Sequence, residues 1–183
     1  SHITNGVHIC SYLSRHKNTL LERYLSSDWS NRLSNPNLTP RIDHIEDADL
    51  WHVHELDRSN LIRKCRRLLL KQYERQNATR NVMDEVANVL DHRCLTICFA
   101  RRFATYKRAG LLFKDPQRLK RLITHEERPI QFIFAGKAHP NDTQGKEIIK
   151  TIVEFARGHD VRHRVVFIEN YDINIARYMV QGC

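Results

Sequence analysis

The sequence predicts an α/β chain in which a helical connector leads into a parallel sheet covered on both faces. Three short apolar runs, CLTICFA (94–100), PIQFIFAG (129–136) and RVVFIEN (164–170), alternate with amphipathic stretches, the strand–helix order of a parallel sheet. The runs are continuously apolar, as strands buried on both faces are. Before residue 94 the rhythm is that of helices and loops.

Taken in order, TNGVH (4–8) carries an Asn-Gly turn signal and NTLLERYL (18–25) suits a short helix. SSDWSNRLSNPNLTP (26–40) is rich in Ser, Asn and Pro and reads as a loop with little core of its own. A long helix follows over 45–76, with Asp47 as N-cap. Leu50, Val53, Asp57, Leu61, Cys65 and Leu68 fall along one side of it, Asp57 being the polar interruption. Its arginines and lysines at 63, 64, 66, 67 and 71 mostly take the opposite, solvated side. After the first strand, KRAGLLFKDPQRLKRLI (107–123) is amphipathic and helical, with Pro116 as a kink or junction. DTQGKEIIKTIVEFARG (142–158) forms the next helix, ended by Gly158, and INIARYMVQG (173–182) starts a third.

Several function classes are disfavoured. No apolar run approaches the roughly 20 residues of a membrane span, and SHITNGVHIC has no secretory pattern. The opening serine and the ending QGC predict a piece of a longer protein. Five scattered cysteines (Cys10, Cys65, Cys94, Cys98, Cys183) argue against a disulfide framework and for reduced, buried thiols in a cytoplasmic protein. Cys94 and Cys98 share a strand face, but no second pair completes a zinc site. His52 and His54, two apart on a helix, cannot face one ligand. No metal is expected. The net charge of +9 admits nucleic acid or an anionic substrate. No RNA-recognition or zinc-finger pattern supports a basic nucleic-acid module.

Ligands of open α/β sheets bind beyond the carboxyl ends of the strands. There the first run ends in Arg101 and Arg102, followed by Tyr106 and Lys107; the second in Gly136 and Lys137; the third in Glu169, Asn170 and Tyr171. Core packing needs none of these residues. Arg101 and Arg102 are adjacent on an extended chain, so their side chains diverge. They suit two anionic groups, or one anion and one solvated charge. Lys107, near the expected start of the next helix, adds a third cation where backbone N–H groups favour negative charge. From residues alone, an anion site and a plain basic rim both stand. The Gly-x-Gly-x-x-Gly fingerprint is absent after every strand.

The motifs TNGVH, DADLWHVHE (47–55), LTICFARRFATYKRAGLLFKD (95–115), FIFAGKAHPND (132–142) and RVVFIENYDINIARYMVQG (164–182) resemble successive landmarks of the α-glucan phosphorylases. This is the glycogen, starch and maltodextrin phosphorylase family, and the match is nearest its shorter prokaryotic-type branch. The resemblance implies a two-lobe GT-B glycosyltransferase fold. Residues 1–90 would be the lobe junction and helical connector, and residues 91–183 an incomplete Rossmann-like C-terminal lobe. It implies reversible phosphorolysis of α-1,4-glucan or maltodextrin by inorganic phosphate, giving α-glucose 1-phosphate, with pyridoxal 5′-phosphate as cofactor. It is compatible with a homo-oligomeric parent and implies neither a nucleic-acid nor a membrane partner.

Carried over by motif, Arg102 and Lys107 would bind substrate phosphate and Asn5 the glucosyl unit. Arg101, Tyr171 and Glu169 would line the cofactor pocket, and Tyr106, Gly136 and Lys137 would sit at its rim. Tyr12 stands where the family has a tryptophan, and Asp172 where other branches have an arginine. The family's Schiff-base lysine lies in a downstream GTSGMK-type motif outside this chain, so no catalytic residue is assigned here and the piece alone is expected to be inactive. The alternative is a nucleotide-sugar glycosyltransferase of the same two-lobe fold.

Overall fold

A computed structural model describes residues 3, 5–158 and 160–183, the side chain of residue 39 excepted. The chain begins with short helices, α1 (Ile9–Tyr12), α2 (Arg15–Tyr24) and α3 (Leu38–Ile42). The polar stretch expected as a bare loop instead holds a 3₁₀ turn, Trp29–Arg32. It also has a small core: Trp29 is buried with Leu25 and Leu38 against Leu13 and Leu21. One tryptophan among Ser and Asn supplies enough apolar area to order the segment.

Helix α4 (Asp47–Arg75) is the longest element. Its N-cap is Glu46, one residue earlier than expected, with Asp47 and Asp49 in the first turn where acidic groups favour the helix dipole. Its buried side is Asp57, Arg58, Leu61, Ile62, Cys65, Leu69 and Gln72. Leu50 is exposed and Leu68 half-buried. Asp57 is no flaw in the apolar side. Its carboxylate accepts from Ser14 Oγ at 2.6 Å, pairs with His16 Nδ1 at 2.9 Å and lies 3.5 Å from Lys17 Nζ. Lys17 Nζ also donates to the Gln181 carbonyl at 2.5 Å. This buried carboxylate fastens α2 to α4 and to the end of α8 (Ile173–Gly182). A buried charge is tolerated because it is paired and hydrogen-bonded.

After α5 (Arg80–Ala87), the strands β1 (Leu95–Ala100), β2 (Ile130–Ala135) and β3 (Val165–Ile168) form a parallel sheet in the order β1-β2-β3. In register, Leu95 pairs with Ile130, Ala100 with Ala135, and Phe132 with Val165. On one face Ile133, Ala135, Val166 and Ile168 pack against Leu61, Cys65 and Leu69 of α4 and Ile175 and Met179 of α8. On the other, Phe132, Phe134 and Val165 meet α6 (Pro116–Ile123) through Leu119 and Ile123, and α7 (Thr143–Ala156) through Ile152. This is the arrangement of part of a Rossmann-like sheet.

Burial on both faces holds for β2 but not for β1, where Leu95 is 58% and Ile97 40% exposed. No helix covers that corner among the described residues. Gln131, inside an apolar run, is fully buried and satisfied. Its amide donates to the Asp91 carbonyl (2.8 Å) and Thr96 Oγ1 (2.6 Å) and accepts from Asp91 N–H (2.8 Å). No helix is long and apolar enough to cross a membrane among the described residues.

Candidate functional site

The expected helix over 107–123 starts only at Pro116. Asp115 caps it, its Oδ1 accepting from Arg118 N–H at 2.9 Å, and Pro116 takes the first position, where its missing N–H is harmless. Between β1 and α6 the chain runs through two 3₁₀ turns, Thr105–Lys107 and Ala109–Lys114, hinged at Arg108 with φ of 60°. Lys107 therefore closes a single 3₁₀ turn and has no α-helix N-terminus beside it, contrary to the expectation. Its ammonium lies 4.5 Å from the centroid of the exposed Tyr106 ring, a cation–π contact.

Phe103, which carried no weight in the sequence reading, fixes this loop. It is wholly buried against the α6–α7 face of the sheet, and its N–H donates to the Lys137 carbonyl at 3.0 Å. Two glycines make room around it. A Cβ on Gly136, whose φ is 155°, would lie 2.2 Å from the Arg101 carbonyl oxygen and 2.9 Å from the Phe103 ring. A Cβ on Gly145 would lie 2.3 Å from the Phe103 carbonyl oxygen. Gly145 in the first turn of α7 also receives the cap, its N–H donating to Asp142 Oδ1 at 2.7 Å. At Gly136 the exit of β2 closes on the Arg101 carbonyl, and the arginine pair stands on a segment clamped by β2's exit and α7's start.

Arg101, Arg102 and Lys137 are exposed and Lys107 is half-buried. None of the four makes an ion pair among the described residues. Some exposed cations elsewhere pair with carboxylates, as Arg23 does with Asp49 (3.0 Å) and Arg162 with Glu85 (2.8 Å), while others, such as Arg67 and Arg118, make no ion pair among the described residues either. The rim beyond β1 and β2 thus gathers four positive charges that make no ion pair among the described residues.

The third strand end divides. Glu169 turns to α4: its carboxylate accepts from Gln76 Nε2 at 3.1 Å and lies 3.6 Å from Arg75, and its N–H donates to Gln72 Oε1 at 3.0 Å. Its carboxylate is engaged in holding the end of α4. Tyr171 is half-buried against the α4–α8 core. Burial and the neighbouring Tyr12 and Asp172 raise its phenol above the ordinary range. Asn170 holds φ of 55°, and Asp172 caps α8, its Oδ1 accepting from Ile175 N–H at 2.9 Å. The Asp172 departure from the family pattern is thereby a helix cap. Asn5 is exposed, and Thr4 of its motif lies outside the described residues. The structure brings Tyr12 to Tyr171 and Gly136 to Arg101, but Asn5 meets no partner side chain among the described residues.

The cysteines depart from expectation. Cys98 of β1 and Cys183 after α8 are joined as a disulfide, while Cys10, Cys65 and Cys94 are free. Cys10 is exposed; Cys65 and Cys94 are buried. Burial pushes the Cys65 thiol up to about 12. Among the described residues no three metal-ligating side chains come together.

A family model described as carbohydrate phosphorylase matches residues 2–183. The chain is 36% identical over 181 residues to a glycogen phosphorylase of Aquifex aeolicus, covering 99% of this chain and 26% of that protein. It is 38% identical over 181 residues to a glycogen phosphorylase of Mycobacterium tuberculosis, covering 99% of this chain and 21% of that protein. It is 36% identical over 180 residues to a maltodextrin phosphorylase of Thermococcus litoralis, covering 98% of this chain and 21% of that protein. The chain thus spans about a quarter or less of these relatives.

Proposed function

The chain belongs to the carbohydrate phosphorylase family, and from that premise we propose that the protein carrying it cleaves α-1,4-glucan with inorganic phosphate, releasing α-glucose 1-phosphate. It would be a cytoplasmic, pyridoxal-phosphate-dependent glucosyl transferase, with residues 1–90 at the lobe junction and 91–183 in the C-terminal lobe. The names of the relatives support the reaction class. The observation that carries the site is the placing of Arg101, Arg102, Lys107 and Lys137 together beyond β1 and β2 with no ion pair among the described residues.

Two phosphates must be held beside a sugar in such a reaction, and the donor set fits them. Arginine offers a planar fork matched to phosphate oxygens, and lysine a mobile point charge. In this reading Arg102 and Lys107 bind the attacking phosphate, and Arg101 holds the phosphate of the cofactor. Pyridoxal 5′-phosphate, when bound, supplies a phosphate that exchanges a proton with the substrate phosphate. Tyr171 lines the cofactor pocket with Glu169 behind it, and Asn5 donates to the glucosyl unit. Gly136 lets β2's exit close on the Arg101 carbonyl, so the arginines stay in place, and Tyr106 and Lys137 complete the rim.

The test is phosphate kinetics in the full-length protein. Arg102→Ala and Lys107→Ala each remove a charge-assisted hydrogen bond of about 1.5–3 kcal/mol. Each should therefore lower kcat/KM for phosphate by roughly 10- to 100-fold with an unchanged circular dichroism spectrum. Wild-type phosphate kinetics in both variants would remove them from the site.

A further inference from the structure

Cys98 and Cys183 are separated by 85 residues in sequence, with Cα atoms 6.4 Å apart. Their positions matter more than the bond alone. Cys98 lies three residues before Arg101 on β1, and its side chain packs toward the α4–α8 face. Cys183 directly follows α8, the helix that begins beside Tyr171 and is capped by Asp172. The bond therefore ties β1, which leads into Arg101, to the far end of α8, the helix that Tyr171 precedes. The other thiols near the sheet, Cys65 and Cys94, are buried and free.

We propose that Cys98 and Cys183 form a reversible thiol–disulfide exchange site, responsive to low-molecular-weight disulfides, that locks the end of α8 to β1 and thereby sets phosphate affinity at the rim. The coupling to phosphate rests on the phosphorylase reading; the exchange chemistry does not. One of the two thiolates attacks one sulfur of the small disulfide, forming a mixed disulfide and releasing one thiol. The other thiolate then attacks the protein sulfur of that mixed disulfide, forming the internal bond and releasing the second thiol. The protein loses two electrons and two protons, and the small disulfide becomes two thiols. Excess small thiol reverses both steps. Opening the bond frees the end of α8 from β1, leaving the Lys17–Gln181 contact and Gly182's packing on α4 to hold that helix end.

The full-length protein is equilibrated in buffers of reduced and oxidised glutathione, acid-quenched, and digested without reduction for mass spectrometry. A peptide pair linking Cys98 to Cys183 should appear in the oxidised buffers and vanish in the reduced ones. In parallel, KM for phosphate should differ about fivefold between the two states, the low end of ordinary coupling between sites. Cys183→Ser should abolish both the linked peptide and the redox response of KM, and a Cys98→Ser variant gives an independent check should either fold poorly. A linked peptide that never forms, or Cys98 linked to another cysteine, overturns the exchange site. A linked peptide with identical phosphate KM in both states overturns the coupling. Absence of phosphorolysis in every buffer overturns the phosphorylase reading instead, and the peptide map still decides the bond.

Discussion

The two outer strands of the sheet end in opposite ways. Along β3, helix α4 lays Gln72 against the strand's free backbone. Its Nε2 donates to the Phe167 carbonyl at 3.3 Å, and its Oε1 accepts from Glu169 N–H at 3.0 Å. Just before β3, Leu90 N–H donates to the His163 carbonyl at 2.7 Å. One glutamine thus imitates a neighbouring strand. Along β1 nothing comparable happens among the described residues, and Leu95 and Ile97 present apolar surface at the same side. Unpaired strand edges invite pairing, and proteins normally plug or charge them. The β3 border is finished, whereas the β1 border has room for a further strand. The relatives, of which the chain spans 21–26%, have the length to supply one.

Three measurements on the full-length protein can break or sharpen this contrast. The largest effect belongs to Gln72→Leu, which leaves a carbonyl and an N–H of the β3 edge without partners. At about 1–3 kcal/mol for each buried unsatisfied group, a loss of roughly 2–4 kcal/mol is expected in chemical denaturation. Hydrogen exchange should quicken at Glu169. An unchanged midpoint would mean that water satisfies that edge as well as glutamine does. Next comes Leu95→Lys. Where a further strand and its covering helix bury this corner, the substitution should cost about 1–2 kcal/mol. A bare edge would register 0.5 kcal/mol or less, as exposed positions do. The smallest is Arg75→Ala, which removes the exposed partner of Glu169. Its expected cost is about 0.5 kcal/mol or less; a larger loss would make the ion pair, and not Gln72, the principal fastening of β3.

How much of this was legible in the sequence follows from the range of each signal. The three strands were readable because apolar runs are local, and β2 (Ile130–Ala135) falls within the run PIQFIFAG. Helix α8 coincides with INIARYMVQG, where Asp172 supplies a cap and Ile175, Ala176 and Met179 a buried stripe. The reading failed at 107–115. Helical periodicity in Leu111, Leu112 and Phe113 suggested an α-helix, but two 3₁₀ turns and a left-handed Arg108 reproduce that spacing over so short a span. It also took β1 to be buried on both faces, since an apolar strand at an open border looks no different from one inside.

The candidate site divides in the same manner. Its cations could be found because they are unneeded for packing and stand next to strand ends. The clamp beneath them could not, because Phe103 meets Gly136 and Gly145 only once the crossover through α6 brings them together. The Cys98–Cys183 bond depends on a separation of 85 residues, over which spacing carries no information. Glu169 and Asp172 look alike as carboxylates after a strand. Geometry alone separates one as a fastening for α4 and the other as a helix cap.

The grip on Phe103 has a mechanical result. With its amide tied to β2's exit, its ring under Gly136 and its carbonyl against α7, the stem bearing both guanidinium groups has little play of its own. Any travel by those groups comes from torsions within their side chains or from the whole αβ layer shifting as one piece. On the proposed reading, anions arriving at such a ledge would be sorted by how far apart their oxygens sit, because the backbone does not yield to meet them.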